Sequence, residues 1–222
     1  MFRQLLAILK KGDLVSQALQ DTNEMLDKAH NIFDLSVRSI ADKEKPEQDI
    51  YQLDREINAL EKKIRRKVLE HLSINPQQDL IASLVLTSVI ISIERIGDYS
   101  KNIYELLDLY EDSDKIRIDE KLRKDAQIIS ATFADTKKTF KTGDRNEALE
   151  LMKRANPLKK DFDLYIGEIA KKKYFKPRDA VANVLFSRFL KRVTAHLENI
   201  CSGIANPFEL IGFYKQTDEE AD

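Results

Sequence analysis

Two carboxylates four residues apart, Glu94 and Asp98 in the stretch SIERIGDYSKNI, are the groups in this chain best placed by type and spacing to do chemistry. An α-helix puts residues at i and i+4 on one face, so both acids would point the same way. Paired carboxylate oxygens suit hard or borderline cations such as Mg, Ca, Mn, Fe or Zn. The same spacing also describes a solvated face laced with ion pairs, because Arg95 stands beside the acids and Lys101 follows Asp98 by three. Spacing alone leaves both readings open. Gly97, between the acids, would weaken a helix by about 1 kcal/mol relative to Ala. Its missing side chain would let a partner or ligand approach closely.

Other constellations exclude more than they offer. The three histidines are His30, His71 and His196, and Asp27-x-x-His30 is a single copy of a motif that a ferritin-like di-metal bundle needs in pairs. His196 falls on an apolar stripe and reads as a packed residue hydrogen-bonded to a neighbour, and His71 as a residue favoured near a helix C-terminus. Cys201 is the only cysteine, which rules out an intrachain disulfide and a multi-Cys metal site. It reads as a small buried hydrophobe on the last helix. The chain contains no P-loop, Rossmann glycine fingerprint or G-x-S-x-G elbow. A non-enzymatic role is expected.

The elements that must position the acids are helices. Only six Gly and five Pro punctuate 222 residues, 34% of which are charged, and no alternating β-branched run suggests a strand. With 37 basic against 38 acidic residues, the net charge of −1 argues against a nucleic-acid partner. No secretory signal is evident and no apolar stretch is read as long enough to span a membrane, so a cytoplasmic protein is expected.

Six helical segments follow from the punctuation. The first runs from about Leu14, behind Gly12-Asp13, to Ala41, and the second from Pro46 to about Leu72. The third starts at Asn75-Pro76-Gln77-Gln78, with Asn as N-cap and Pro at N1, and runs to about Tyr110. On it Ile81, Val85, Val89, Ile96, Tyr99, Ile103 and Leu107 form one face, and the first turns read as buried all round. The polar tract 111–114 separates it from a fourth helix, about Lys115 to Lys141. A fifth begins at Gly143-Asp144, with Asp144 and Glu147 at capping-box spacing, and Pro157 should kink or break it. The sixth runs from Pro177 to about Cys201 and ends at Gly203.

The two halves resemble each other: ERIGDYSKNI in the third helix aligns with KRVTAHLENI in the sixth, Arg95 with Arg192 and Asn102 with Asn199. The expectation is an all-α fold of two tandem three-helix bundles packed side by side. The first would span 1–112, a degenerate second 113–215, and a disordered acidic tail 216–222.

SIERIGDYSKNI closely resembles the signature of the PhoU family of phosphate-uptake regulators, ERIGD followed by an Asn four residues on. Here Glu94, Arg95, Ile96, Gly97, Asp98 and Asn102 stand in the expected places. DREINALEKKI is similar to the pattern of the preceding helix in that family, at Asp54, Ile57, Asn58, Leu60 and Glu61, and the NPQQDL turn is similar to the one opening its third helix. The resemblance implies a cytoplasmic, often dimeric, non-enzymatic protein. It would couple phosphate transport to signalling by contacting an inner-membrane phosphate transporter and a sensor histidine kinase. It also implies a metal, commonly iron or zinc, with Glu94 and Asp98 as ligands and Asp54 and Asn58 as helpers. Lys191 and Ala195 replace the acids in the second half, so at most one such site is expected per chain. A metal-binding bundle or an interaction scaffold unrelated to phosphate are the other readings.

Three further segments suggest surfaces. The basic runs EKKIRRK (61–67) and AKKKYFKPR (170–178) read as solvated helix ends or as attractors for anionic lipid or an acidic partner. Amphipathic MFRQLLAILKK could lie in a membrane interface or pack on a bundle or a second subunit. NPFELIGFY (206–214) suggests docking onto the bundle or a dimer contact.

Overall fold

The computed structural model describes residues 14–74, 76, 77, 79–109, 116–171 and 176–213. Along them run α1 (Leu14–Ala41), α2 (Ile50–Ile74), α3 (Leu80–Glu105) with a 3-10 turn Leu106–Leu109, α4 (Glu120–Thr142), α5 (Arg145–Lys171) and α6 (Pro177–Ala205), closed by a 3-10 turn Phe208–Leu210. No strand occurs among the described residues. The leading segment, Asn75, Gln78, the 112–113 junction, the tract 111–114, part of the second basic run and the tail 216–222 lie outside them.

Helical spacing of apolar residues builds the bundles. Ile50, Leu53, Ile57, Leu60, Ile64 and Val68 recur every three or four residues on α2, and all are buried. They pack against α1 and α3, whereas Phe186, Leu190, Val193 and Leu197 of α6 face α4 and α5. The result is two three-helix bundles side by side, and one continuous apolar core runs through both.

Two seams join the bundles. Along the first, α3 meets α6, with Tyr99 against Phe189 at 6.2 Å and against His196 at 5.8 Å between ring centroids. Gly203 belongs to this seam: a Cβ there would stand 2.9 Å from Val89 Cγ2, so the glycine allows α6 to approach α3. It lies inside α6, two residues short of its end, and does not terminate the helix. Along the second seam α1 meets α4, where the His30 ring stacks on Phe133 at 4.8 Å and Nε2 pairs with the Ser130 hydroxyl at 3.1 Å.

Several boundaries differ from the sequence reading. Pro46 precedes α2 without entering it, and Pro76 sits in a turn. The position before α3 is Asp79, in the left-handed region at φ 59°. Its carboxylate faces buried His71 from the last turn of α2 at 3.5 Å, a tertiary contact that residue spacing does not reveal. α5 passes through Pro157 unbroken. A proline removes one backbone bond and crowds one carbonyl at about 3 kcal/mol. Here Leu151 and Met152 before it and Phe162 and Tyr165 after it are all buried, so core packing holds both sides. At the start of α5 the Asp144 carboxylate accepts from the backbone N–H groups of Asn146 and Glu147 at 2.9 and 3.2 Å, the N-cap that the sequence indicates.

The start of α3 also departs from expectation. Leu80, Ile81, Leu84 and Ile91 are exposed, so these turns are not buried all round. The stretch Leu80–Asp108 is long and apolar enough to cross a membrane, which the sequence reading did not allow, yet half of its most apolar window is buried inside the protein.

Candidate functional site

α2 and α3 are antiparallel neighbours, and their pairing brings Asp54 and Asn58 of one beside Asp98 and Lys101 of the other. Ile57 and Gly97 make this possible. A Cβ at Gly97 would stand 3.0 Å from Ile57 Cδ1, so the glycine accommodates the neighbouring helix. What approaches at Gly97 is thus the core side chain Ile57; the residue is buried, not open to a ligand.

The charged groups above this contact form a lattice. Lys101 Nζ donates to Asp54 Oδ2 at 2.9 Å and lies 3.6 Å from Asp98 Oδ1. Arg95 donates to Asp98 Oδ2 at 2.9 Å and its Nε is 3.5 Å from Glu94 Oε2. Asn58 Nδ2 reaches Asp54 Oδ2 at 3.5 Å, and one turn along α2 Arg65 pairs with Glu61 at 2.7 Å. All four residues singled out in the sequence therefore lie in one neighbourhood. Lys101 and Glu61 complete it. Lys101 was visible as a charge near Asp98, but its reach to Asp54 depends on the helix pairing.

The electrostatics are uneven across this lattice. Burial, then the negative charges of Asp98, Glu61 and Asp54, push the Glu94 carboxyl above its ordinary value, with Arg95 pulling the other way. Burial works against the Lys101 ammonium, but the Asp54 bond, with Asp98 and Glu105 nearby, outweighs it and raises its pKa. Arg95 is likewise held charged by Glu94 and Asp98.

These side chains do not form an open metal cage. Among the described residues no three His, Cys, Asp or Glu side chains are grouped to hold a metal ion. A bound cation needs free carboxylate oxygens, and those of Asp54 and Asp98 already face Lys101 and Arg95. Metal binding by this set would require Lys101 to leave Asp54.

The second bundle repeats the scaffold with other charges. Lys191, aligned with Glu94, pairs with Asp163 of α5, and Ala195 leaves the place of Asp98 without a ligand atom. Glu198, aligned with Lys101, is paired with Lys159 of α5. That bridge went unnoticed in the sequence.

Burial shifts the titration of His196 and Cys201, which lie outside this lattice. Burial, then Arg192 and Arg95, lowers His196 to about 4. Its Nδ1 is buried with no hydrogen-bond partner among the described residues, contrary to the partner expected for it. Burial pushes the Cys201 thiol up to about 12 against a weak opposing bond from Thr136, and the residue is buried as expected.

An all-helical pair of bundles carrying a charged lattice on the third helix defines a recognisable class. Residues 22–107 match the family model for the PhoU domain. Among solved structures, the phosphate transport system regulatory protein PhoU from Streptococcus pneumoniae superposes with a TM-score of 0.67 at 18% identity, over 92% of this chain and 95% of that one. No curated protein matches significantly.

Proposed function

We propose that this chain regulates phosphate uptake and phosphate-dependent signalling without catalysing a reaction. It would act in the cytoplasm, as a homodimer, by contact with an inner-membrane phosphate transporter and a sensor histidine kinase. The observation that carries this reading is the PhoU-domain match across residues 22–107, the segment containing the entire acid–base lattice. The shifted titrations of His196 and Cys201 support a binding role over a catalytic one. A lattice of ion pairs suits recognition, because each pair can be exchanged for one with a partner.

Deleting the gene and measuring intracellular polyphosphate and phosphate-starvation transcription tests the reading. Both should change when phosphate is abundant, and unchanged values would sink it.

A second reading, a metal-binding bundle, is favoured by one observation: burial and then the negative charges of Asp98, Glu61 and Asp54 raise the Glu94 carboxyl, a setting that a cation would relieve. Iron or zinc would then be held by Glu94 and Asp98, with Asp54 and Asn58 assisting once Lys101 is released. Metal analysis of protein purified without chelator tests it. Metal should be present, lost in Glu94→Ala/Asp98→Ala, and retained in Lys191→Ala; metal-free wild-type protein refutes the idea.

A further inference from the structure

Three buried polar atoms stand together without hydrogen bonds at the joint between α2 and α3. They are His71 Nε2 in the last turn of α2, Asp79 Oδ2 just before α3, and Ser83 Oγ one turn into it; none has a hydrogen-bond partner among the described residues. His71 is 3% exposed and Ser83 0%. Buried polar atoms are nearly always paired, so three unpaired ones at one joint form a donor set able to take a ligand.

Asp79 and Ser83 also depart from what their positions usually do. The residue before a helix normally has an extended backbone and turns its carboxylate onto the first N–H groups of that helix. Asp79 is in the left-handed region at φ 59° and makes no such bond; its carboxylate faces His71 instead. Few residues other than glycine adopt that backbone. Further along α3 the hydroxyls of Thr87 and Ser88 donate to the carbonyls four residues back, at 2.9 and 3.1 Å. The Ser83 hydroxyl makes no such bond, although its backbone N–H donates to the Asp79 carbonyl at 2.8 Å.

The separation of His71 and Asp79 decides between ligands. Nε2 lies 3.5 Å from Oδ2. A charge-assisted hydrogen bond would be about 2.7–2.9 Å, whereas two ligands of a tetrahedral zinc ion, each about 2.0–2.1 Å from the metal, are about 3.4 Å apart. The separation fits shared coordination better than direct pairing. An imidazole nitrogen with a carboxylate oxygen suits Zn2+ over Mg2+ or Ca2+. Lys67, one turn before His71, is held by Asp21 at 2.8 Å, so its charge is compensated.

We infer that His71, Asp79 and Ser83 hold a divalent transition-metal ion such as Zn2+, with Nε2 and Oδ2 as strong ligands and the hydroxyl as a weaker one. The ion ties the end of α2 to the start of α3 and so fixes the helix pairing that sets Asp54 beside Lys101. This site is separate from Glu94 and Asp98, which stand about three to four turns further along α3, and it goes beyond the phosphate reading. A chain that regulates phosphate with no metal at His71 overturns only this step.

The test is Zn2+ titration of the full chain, stripped with chelator and labelled with nitrogen-15 at histidine. The chain has three histidines, so each ring can be followed by NMR. Zn2+ should shift the ring nitrogens of His71 and leave those of His30 and His196 in place, equally in wild type and in Glu94→Ala/Asp98→Ala. His71→Gln and Asp79→Asn should each weaken binding at least about tenfold, the loss that even outer-shell partners cause, and Ser83→Ala should weaken it less. Asn tolerates the left-handed backbone, so Asp79→Asn keeps the test decisive if His71→Gln misfolds. Unmoved His71 nitrogens, binding that survives Asp79→Asn and His71→Gln, or binding lost only in Glu94→Ala/Asp98→Ala overturns the inference.

Discussion

Lys101 and Glu198 occupy the same place in the two bundles and carry opposite charges. Each reaches back to the middle helix of its own bundle, Lys101 to Asp54 and Glu198 to Lys159. The cross-link between second and third helices is therefore kept while its polarity is inverted. Geometry preserved with reversed charge points to a structural role for this position, separable from whatever Glu94 and Asp98 do beside it.

That role is open to a charge-swap test in the second bundle, where Ala195 stands in the place of Asp98. Lys159→Glu or Glu198→Lys alone strands a like-charged pair with Glu198 nearly buried, and each should cost about 2 kcal/mol. The double variant should recover most of the loss in thermal unfolding. A double variant as unstable as the two single losses combined would show that the pairing contributes nothing.

Gly203→Ala should destabilise the seam between the bundles. Alanine gains about 1 kcal/mol in helix propensity, but its Cβ would meet Val89 Cγ2 at 2.9 Å, and a β-branched valine has little freedom to retreat. Overpacking of this kind costs about 1–3 kcal/mol, so the melting temperature should fall by a few degrees, with partial recovery on adding Val89→Ala. A rise in melting temperature for Gly203→Ala would contradict the packing account.

His196 should make the protein acid-sensitive above the range of its carboxylates. Its folded pKa is about 4 and its ordinary value 6.5, so between these the unfolded chain binds the extra proton. The stabilisation from keeping it neutral is complete above 6.5 and is lost as pH falls towards about 4. His196→Phe, which keeps the ring against Tyr99, should flatten the stability profile across that window. Urea unfolding at several pH values reads it directly, and an unchanged slope would refute the assignment.

Glu94 behaves in the opposite sense. Its folded pKa is raised, so the folded state holds the proton more tightly and stability falls as pH rises from the ordinary carboxylate value through the folded one. Above that window the ionised group carries a constant penalty. Glu94→Gln should therefore melt higher than wild type at neutral pH and lose its advantage in acid below the ordinary carboxylate pKa. Equal melting temperatures at both pH values would show that burial and the charges of Asp98, Glu61 and Asp54 do not disfavour the ionised Glu94.

Much of this was readable along the chain. The bounds of α1, the Asp144 cap and the buried stripe of α2 follow from periodicity and capping, which depend on residues within one or two turns. The repeat of ERIGDYSKNI in KRVTAHLENI, with the acids lost, was equally local. The errors fell where distant residues intervene. Pro157 is tolerated because side chains on both sides of it are buried in the core. α3 begins after Asp79, whose carboxylate meets His71 on the previous helix.

By itself, then, the sequence determined an all-helical chain with a charged third helix and a degenerate copy of it, because side-chain spacing along a helix is set by the backbone. Only the tertiary structure decided what those charges and glycines meet. Gly97 receives Ile57, Gly203 receives Val89, and Lys101 bridges Asp54 and Asp98. Each of these contacts depends on the register between helices far apart in the chain, which is set by how the apolar faces of both bundles interlock.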